Sequence, residues 1–207
     1  MVDVKFWGPS GWDLFHALSL QDGNEDGKKQ MFSVFQDILP CKYCRASTTV
    51  FVKEMPPETN ISYWLYKIHD RVNKKLETQH LSNPLVSKPV PSPSFEDAMA
   101  HYKPKIMDPK LGWTFLYSVA LNYNKRIHKK SSHKKFWVAL KKLYPKQLRI
   151  PRLTNSREYF ADVHSMLEDP EPLEKVYSDV LLHKSKCVKK TCRKTHLKRR
   201  TKRSTSH

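Results

Sequence analysis

Apolar side chains return at three- and four-residue steps through several stretches of this chain, the period of an amphipathic helix. Met31, Phe32, Val34, Phe35, Ile38 and Leu39 form one such stripe, and Ile61, Trp64, Leu65, Ile68, Val72 and Leu76 form another. Alternating apolar runs, the mark of strands, are few. The first stripe runs into Pro40, which interrupts one helix and suits the first turn of the next. That next helix continues through residues 45–54 and stops before Pro56-Pro57; its successor is expected from Ser62 to about Leu76. Nearer the start, Ser10 is the expected N-cap of a first helix, with Asp13 at its third position. Residues 21–28 read as a polar turn, residues 83–94 as a proline- and serine-rich loop, and Phe95 to Tyr102 as a short helix. The fold class is therefore all-α.

The second half echoes the first. Gly112-Trp113-Thr114-Phe115-Leu116-Tyr117 parallels Gly11-Trp12-Asp13-Leu14-Phe15-His16. The helix ending at Tyr144-Pro145 parallels the one ending at Leu39-Pro40, and Tyr159 to His164 parallels Trp64 to His69. Lys146 and Arg149 stand where the first half has Cys41 and Cys44; Tyr117 replaces His16, and Glu168 replaces Asn73. These correspondences divide the chain into residues 1–105, a degenerate second helical copy at 106–180, and a tail at 181–207.

Charge sharpens that division. The tail holds eleven Lys or Arg and no Asp or Glu, which leaves +7 of the net +18 for the other 180 residues. It reads as a basic, disordered arm suited to nucleic acid or acidic partners. No run of 18 apolar residues occurs, so no membrane span is expected, and the start is too polar for a secretory signal. Both features point to the cytosol or nucleus.

The candidate chemistry lies in two close cysteine pairs, Cys41/Cys44 and Cys187/Cys192. In a reducing compartment a Cys-x-x-Cys pair is a working redox disulfide or half of a zinc site. A thioredoxin-like site would want a strand before the pair, and a helix stands there. Cys41 and Cys44 would sit at a helix N-terminus, where the dipole and free N–H groups favour a thiolate. His69 and Asn73, four apart beside the second apolar stripe, are polar groups that need buried partners. An alternative reading makes all four cysteines zinc ligands of a nucleic-acid module, with no metal site expected under the redox reading.

Three motifs in order settle the preference: Trp12-Asp13-Leu14-Phe15-His16, Pro40-Cys41-Lys42-Tyr43-Cys44, and His69-Asp70-Arg71-Val72-Asn73-Lys74-Lys75-Leu76. Together they resemble the Erv/ALR flavin-linked sulfhydryl oxidases, most closely those of large DNA viruses; Asp70 stands where the family has Asn. The resemblance implies a four-helix bundle with a short fifth helix holding FAD. It implies Gly8, Trp12, His16, His69, Val72, Asn73, Lys75, Leu76 and Lys88 as cofactor-binding residues, with Lys75 meeting the pyrophosphate. It makes Cys44 the flavin-side sulfur, Cys41 the sulfur open to attack, and Cys187/Cys192 a shuttle pair on a C-terminal arm. The implied reaction oxidises protein thiols, directly or through a thioredoxin-like intermediary, with oxygen as acceptor and hydrogen peroxide as product. A homodimer or an intramolecular pseudo-dimer would complete the assembly. A viral origin would place the protein in the host cell and the virion.

Overall fold

A computed structural model describes residues 2–83, 86 and 88–184. The described residues contain helices and no strand. Helix α1 (Val4–Ser19) begins earlier than its capping signal suggested. Asp3 is the N-cap, accepting the Lys5 N–H, and Pro9 lies inside the helix. Ser10 is thereby freed from capping, and its hydroxyl accepts the Phe115 N–H from the second half at 3.3 Å. Asn24, in a left-handed conformation, caps α2 (Glu25–Phe32), so the polar turn gives way to helix at Glu25. The expected single helix through Leu39 is broken at Ser33-Val34, and Phe35–Ile38 forms a separate turn, α3. All six apolar residues of the stripe still bury, because the short break keeps them facing the same core.

Helix α4 (Lys42–Glu54) follows the Pro40 elbow, and α5 (Ile61–Ser82) outlasts its apolar stripe by more than a turn. Its extension is carried by residues of good helix propensity, Glu77, Gln79 and Leu81 among them. The short α6 (Phe95–Tyr102) has Ser94 as N-cap and runs into a tighter 3₁₀ turn at Lys103–Met107. The first half is thus a bundle of α1, α2/α3, α4 and α5 with α6 as the short fifth helix.

The second half consists of α7 (Trp113–Asn122), α8 (Lys130–Leu143), α9 (Ser156–Leu167) and α10 (Leu173–Leu182). The two halves share one continuous apolar core. Helix α1 packs on α7, and α2 and α3 pack on α8. Phe15 meets Phe115 edge-on, with ring centroids 5.0 Å apart. The α1–α7 contact is reciprocal at its glycines. A Cβ on Gly11 would lie 3.0 Å from the Phe115 ring, and one on Gly112 would lie 2.9 Å from Leu14. Leu14 and Phe115 each stand three residues after their own glycine, so position i of one half meets position j of the other and the converse. Such an exchange is the signature of a two-fold contact. The end of α10 returns to the beginning of the chain: the Asp3 N–H donates to the His183 carbonyl at 3.1 Å, and the His183 ring stacks on Phe6 at 3.8 Å.

Candidate active site

Cys41 is the N-cap of α4, and its sulfur accepts the Cys44 N–H at 3.2 Å. This is the helix-start placement that the Pro40 break predicted. Both cysteines are free thiols here, Cys41 buried and Cys44 half-buried. Cys41 is brought down from the ordinary thiol range to about 7, foremost by the hydrogen bond from the Cys44 thiol. The Cys44 and Tyr43 N–H groups and the Arg45 charge act in the same direction, against the effect of burial. Cys44 is pushed up, because it donates to Cys41, is buried, and would share the space with a Cys41 charge; Lys75 opposes this. The reduced pair therefore carries one thiolate, on Cys41. Arg45 also ties the elbow together, donating from Nη1 to the Leu39 carbonyl at 2.6 Å.

Cys44 lines an apolar cleft of ≈ 460 Å³ with Trp7, Gly8, Trp12, Phe35 and Val72, closed by Leu39 and Thr48. A second, smaller cavity of ≈ 260 Å³ is lined by His16, Tyr66, His69, Asn73, Ser92 and Tyr102. The rings that separate them come from α1 and α5. Trp12 stacks on His69 at 3.8 Å, and His16 Nε2 is hydrogen-bonded to His69 Nδ1 at 3.1 Å. Tyr102 stacks on the other side of His16 at 4.2 Å. Burial drives His16 down to about 3, aided by the charges of His69 and His101, and drives His69 down to about 4. Both imidazoles are neutral at pH 7, so one nitrogen of each can accept. Their spacing is what matters: residues 12 and 16 share one face of α1, and residues 69, 72 and 73 share one face of α5.

The other candidates are distributed unevenly. Asn73 donates to Ser92 Oγ at 3.2 Å, and Lys75 donates to Ser47 Oγ while its charge reaches Cys44. Asp70, in the position where an Asn was the family's choice, pairs with Lys74 at 2.6 Å. Leu76 is half-buried one turn beyond Val72 and borders neither cavity. Lys88 is exposed and touches none of these groups. Cys41, expected to be open to attack, is only 3 % exposed, because its sulfur turns into the first turn of α4 to accept N–H groups. Cys187 and Cys192 lie outside the described residues. No group of three or more metal-ligating side chains occurs among the described residues.

Sequence reasoning missed Trp7, Phe35, Leu39, Thr48, Arg45 and Tyr102. Cys44 and Thr48 are four apart on α4, so their shared face was readable. Nothing local marks Tyr102, which arrives through the α6 turn.

The residues present fit a flat aromatic cofactor such as FAD. The cleft beside Cys44 is walled by rings and aliphatic groups, and His16 Nδ1 and Trp7 Nε1 are buried with no partner among the described residues. Buried polar atoms of this kind are ordinarily paired.

Residues 9–90 match the Erv1 / Alr family. Two similar proteins are named FAD-linked sulfhydryl oxidase, both from African swine fever virus. The one from a Malawi tick isolate is 29% identical over 86 residues, covering 37% of this chain and 72% of its own length. The one from a Kenyan pig isolate is 28% identical over the same shares. No solved structure matches the chain.

Proposed function

We propose that this chain is an FAD-linked sulfhydryl oxidase that makes disulfides in protein thiols through the Cys41–Cys44 pair. The observation that carries the reading is Cys44 opening into a ring-lined apolar cleft while its partner Cys41 caps α4 and accepts the Cys44 N–H. FAD would be held by Gly8, Trp12, Val72, His16, His69 and Asn73, with Lys75 beside Cys44. When bound, FAD supplies the two-electron chemistry that re-oxidises the pair and reduces oxygen to hydrogen peroxide.

The chain's own steps are thiol–disulfide exchange. A substrate thiolate attacks Cys41 Sγ of the oxidised pair, the Cys41–Cys44 bond breaks, and Cys44 leaves as a thiolate beside the Lys75 cation. A second substrate thiolate attacks the substrate sulfur of the mixed disulfide, which releases Cys41 and yields the substrate disulfide. Two substrate thiols lose two electrons and two protons, and the pair gains the electrons. The Cys41 leaving group is helped by the N–H groups that accept its charge.

Three finer readings belong to the same proposal. The reciprocal Gly11/Phe115 and Gly112/Leu14 contacts support residues 106–180 as a degenerate copy that pairs with residues 1–105, an intramolecular pseudo-dimer. Its counterpart of the cofactor face is occupied by its own side chains: Tyr117 donates to Asp169 at 2.8 Å and stacks on Phe160, and Tyr177 packs on Phe160. The shuttle reading of Cys187/Cys192 is supported by the position of Lys184. It follows His183, stacked on Phe6 of α1, which directly precedes cleft residues Trp7 and Gly8. Cys187 is three residues further on, a reach of up to about 10 Å, and Cys192 up to about 27 Å. A cytosolic or nuclear site of action, in host cell and virion for a viral protein, completes the reading.

The test is an anaerobic titration of the purified chain with dithiothreitol, following flavin absorbance and the flavin-to-protein ratio. The account predicts one FAD per chain and uptake of four electrons by the flavin and the Cys41–Cys44 pair in a chain carrying Cys187→Ser and Cys192→Ser. A colourless protein that takes up no electrons contradicts the oxidase; two FAD per chain contradict the degenerate copy.

A further inference from the structure

Between residues 109 and 157 the chain has thirteen Lys or Arg and no Asp or Glu. The densest part is the α7–α8 loop and α8, where Lys125, Arg126, Lys129, Lys130, Lys134, Lys135, Lys141 and Lys142 are all exposed. Several cations elsewhere are answered, Lys67 by Glu58, Arg71 by Glu54 and Lys175 by Glu171 among them. Of the eight cations between 125 and 142, among the described residues only Lys129 meets a carboxylate, Asp37 at 3.7 Å.

Lys141 and Lys142 in the last turn suit the helix dipole, but the start of the helix gains nothing from its cations. Lys130 and Lys134 are like charges at i,i+4, and cations in the first turn oppose the helix dipole. Helix α8 is held instead by its inner face, where Phe136, Trp137, Leu140 and Leu143 are buried. The outer face is free to carry charge for another purpose.

Its location narrows that purpose. Ser132 donates to Asp37 Oδ2 at 2.6 Å, which fixes the start of α8 against α3. Asp37 in turn lies within electrostatic range of Arg45, which acts on both Cys41 and Cys44. The Arg45 charge also lowers His128 and His133 in the α7–α8 region. The cationic face therefore begins beside the elbow that carries the reactive disulfide. Tyr43 in α4 is 39% exposed and Ile127 in the loop 68% exposed, apolar contacts of a kind that a polypeptide uses.

Resting on the oxidase reading, we propose that the loop 124–129 and the outer face of α8 form the docking surface for an acidic protein dithiol. Glutamates and aspartates near the substrate cysteines meet Lys130, Lys134 and Lys135, which steers the substrate to Cys41. Electrostatic steering of this type raises association rates by about 10-fold or more and is screened by salt.

The experiment uses the full, FAD-loaded chain and its triple variant Lys130→Glu, Lys134→Glu, Lys135→Glu. Three reductants are compared: dithiothreitol, a Cys-x-x-Cys peptide flanked by glutamates, and the same peptide flanked by lysines. The wild type is expected to favour the glutamate peptide in kcat/KM by about 10-fold at low salt. Raising the salt or introducing the triple change should remove most of that preference while dithiothreitol turnover stays within about two-fold, because dithiothreitol carries no fixed charge for the surface to steer. Dithiothreitol turnover without any peptide preference, or with a preference the triple variant keeps, overturns the docking surface and leaves the oxidase standing. Loss of duplex DNA binding in the variant with peptide preference unchanged overturns it in favour of a nucleic-acid contact. No turnover of dithiothreitol by wild type overturns the oxidase reading, and the docking surface with it.

Discussion

Arg45 is the side chain on which the reactive pair leans most among those outside the three motifs. Its guanidinium spans the elbow to the Leu39 carbonyl and contributes to keeping Cys41 near 7. Replacing it by Met keeps the aliphatic stem and removes both effects. The Cys41 thiol should then titrate higher in the pH profile of its alkylation rate in the reduced protein. An unchanged profile would mean that the α4 N–H groups and Cys44 suffice. His133 offers a second residue-scale test, in the other half. It is buried, its Nε2 has no partner among the described residues, and burial with the His128 and Arg45 charges drives it down to about 3. An unfolded histidine titrates near 6.5, so the folded state is favoured above that value and loses the advantage as pH falls toward about 3. Between pH 7 and pH 5 this group alone should cost roughly 1–2 kcal/mol of stability. His133→Gln should flatten the pH dependence of urea unfolding by that amount; a parallel shift at all pH values would contradict the assignment.

At the scale of elements, what the sequence made legible were those helices whose apolar stripes are strong or whose ends carry caps. Helix α6 was expected from Phe95 to Tyr102 and is found there, because Ser94 and the prolines before it leave little choice. The start of α1 was misplaced because Ser10 has a capping side chain and Pro9 stands before it, whereas Asp3 caps without a proline. The α2–α3 break was invisible because the stripe itself does not break. Of the site, the Trp12/His16 and His69/Val72/Asn73 faces could be read from helical spacing; Arg45 and Tyr102 could not, since their roles depend on how elements meet. The α1–α7 seam makes a further prediction. Gly112→Ala combines a positive φ of 73° with a Cβ 2.9 Å from Leu14, and should cost about 2–4 kcal/mol. Gly23 has a similar φ of 75° and open space around it, so Gly23→Ala should cost about 1 kcal/mol. Equal melting shifts for the two would remove the close seam from the account.

Across the whole molecule, function on the proposed reading is divided between a bundle that holds the chemistry and surroundings that select what reaches it. The second half contributes half of the shared core and places a cationic helix beside the elbow. No helix among the described residues is long and apolar enough to cross a membrane. The end of α10 stacks on Phe6 of α1, and the proposed shuttle pair, Cys187 and Cys192, follows in the sequence. With both changed to Ser, a small dithiol should be oxidised at a near-normal rate and a reduced folded protein several-fold more slowly. Equal rates on both substrates would leave the second pair without a part in electron delivery.

Every step assigned here depends on Cys44 being the sulfur that faces the cofactor cleft. Oxygen consumption by Cys44→Ser, purified with its flavin and given dithiothreitol, measures that dependence directly. The account predicts a yellow protein with FAD content equal to wild type, because the cleft walls are intact, and oxygen uptake at least about 100-fold lower. A yellow variant that consumes oxygen at a rate comparable to wild type would contradict it.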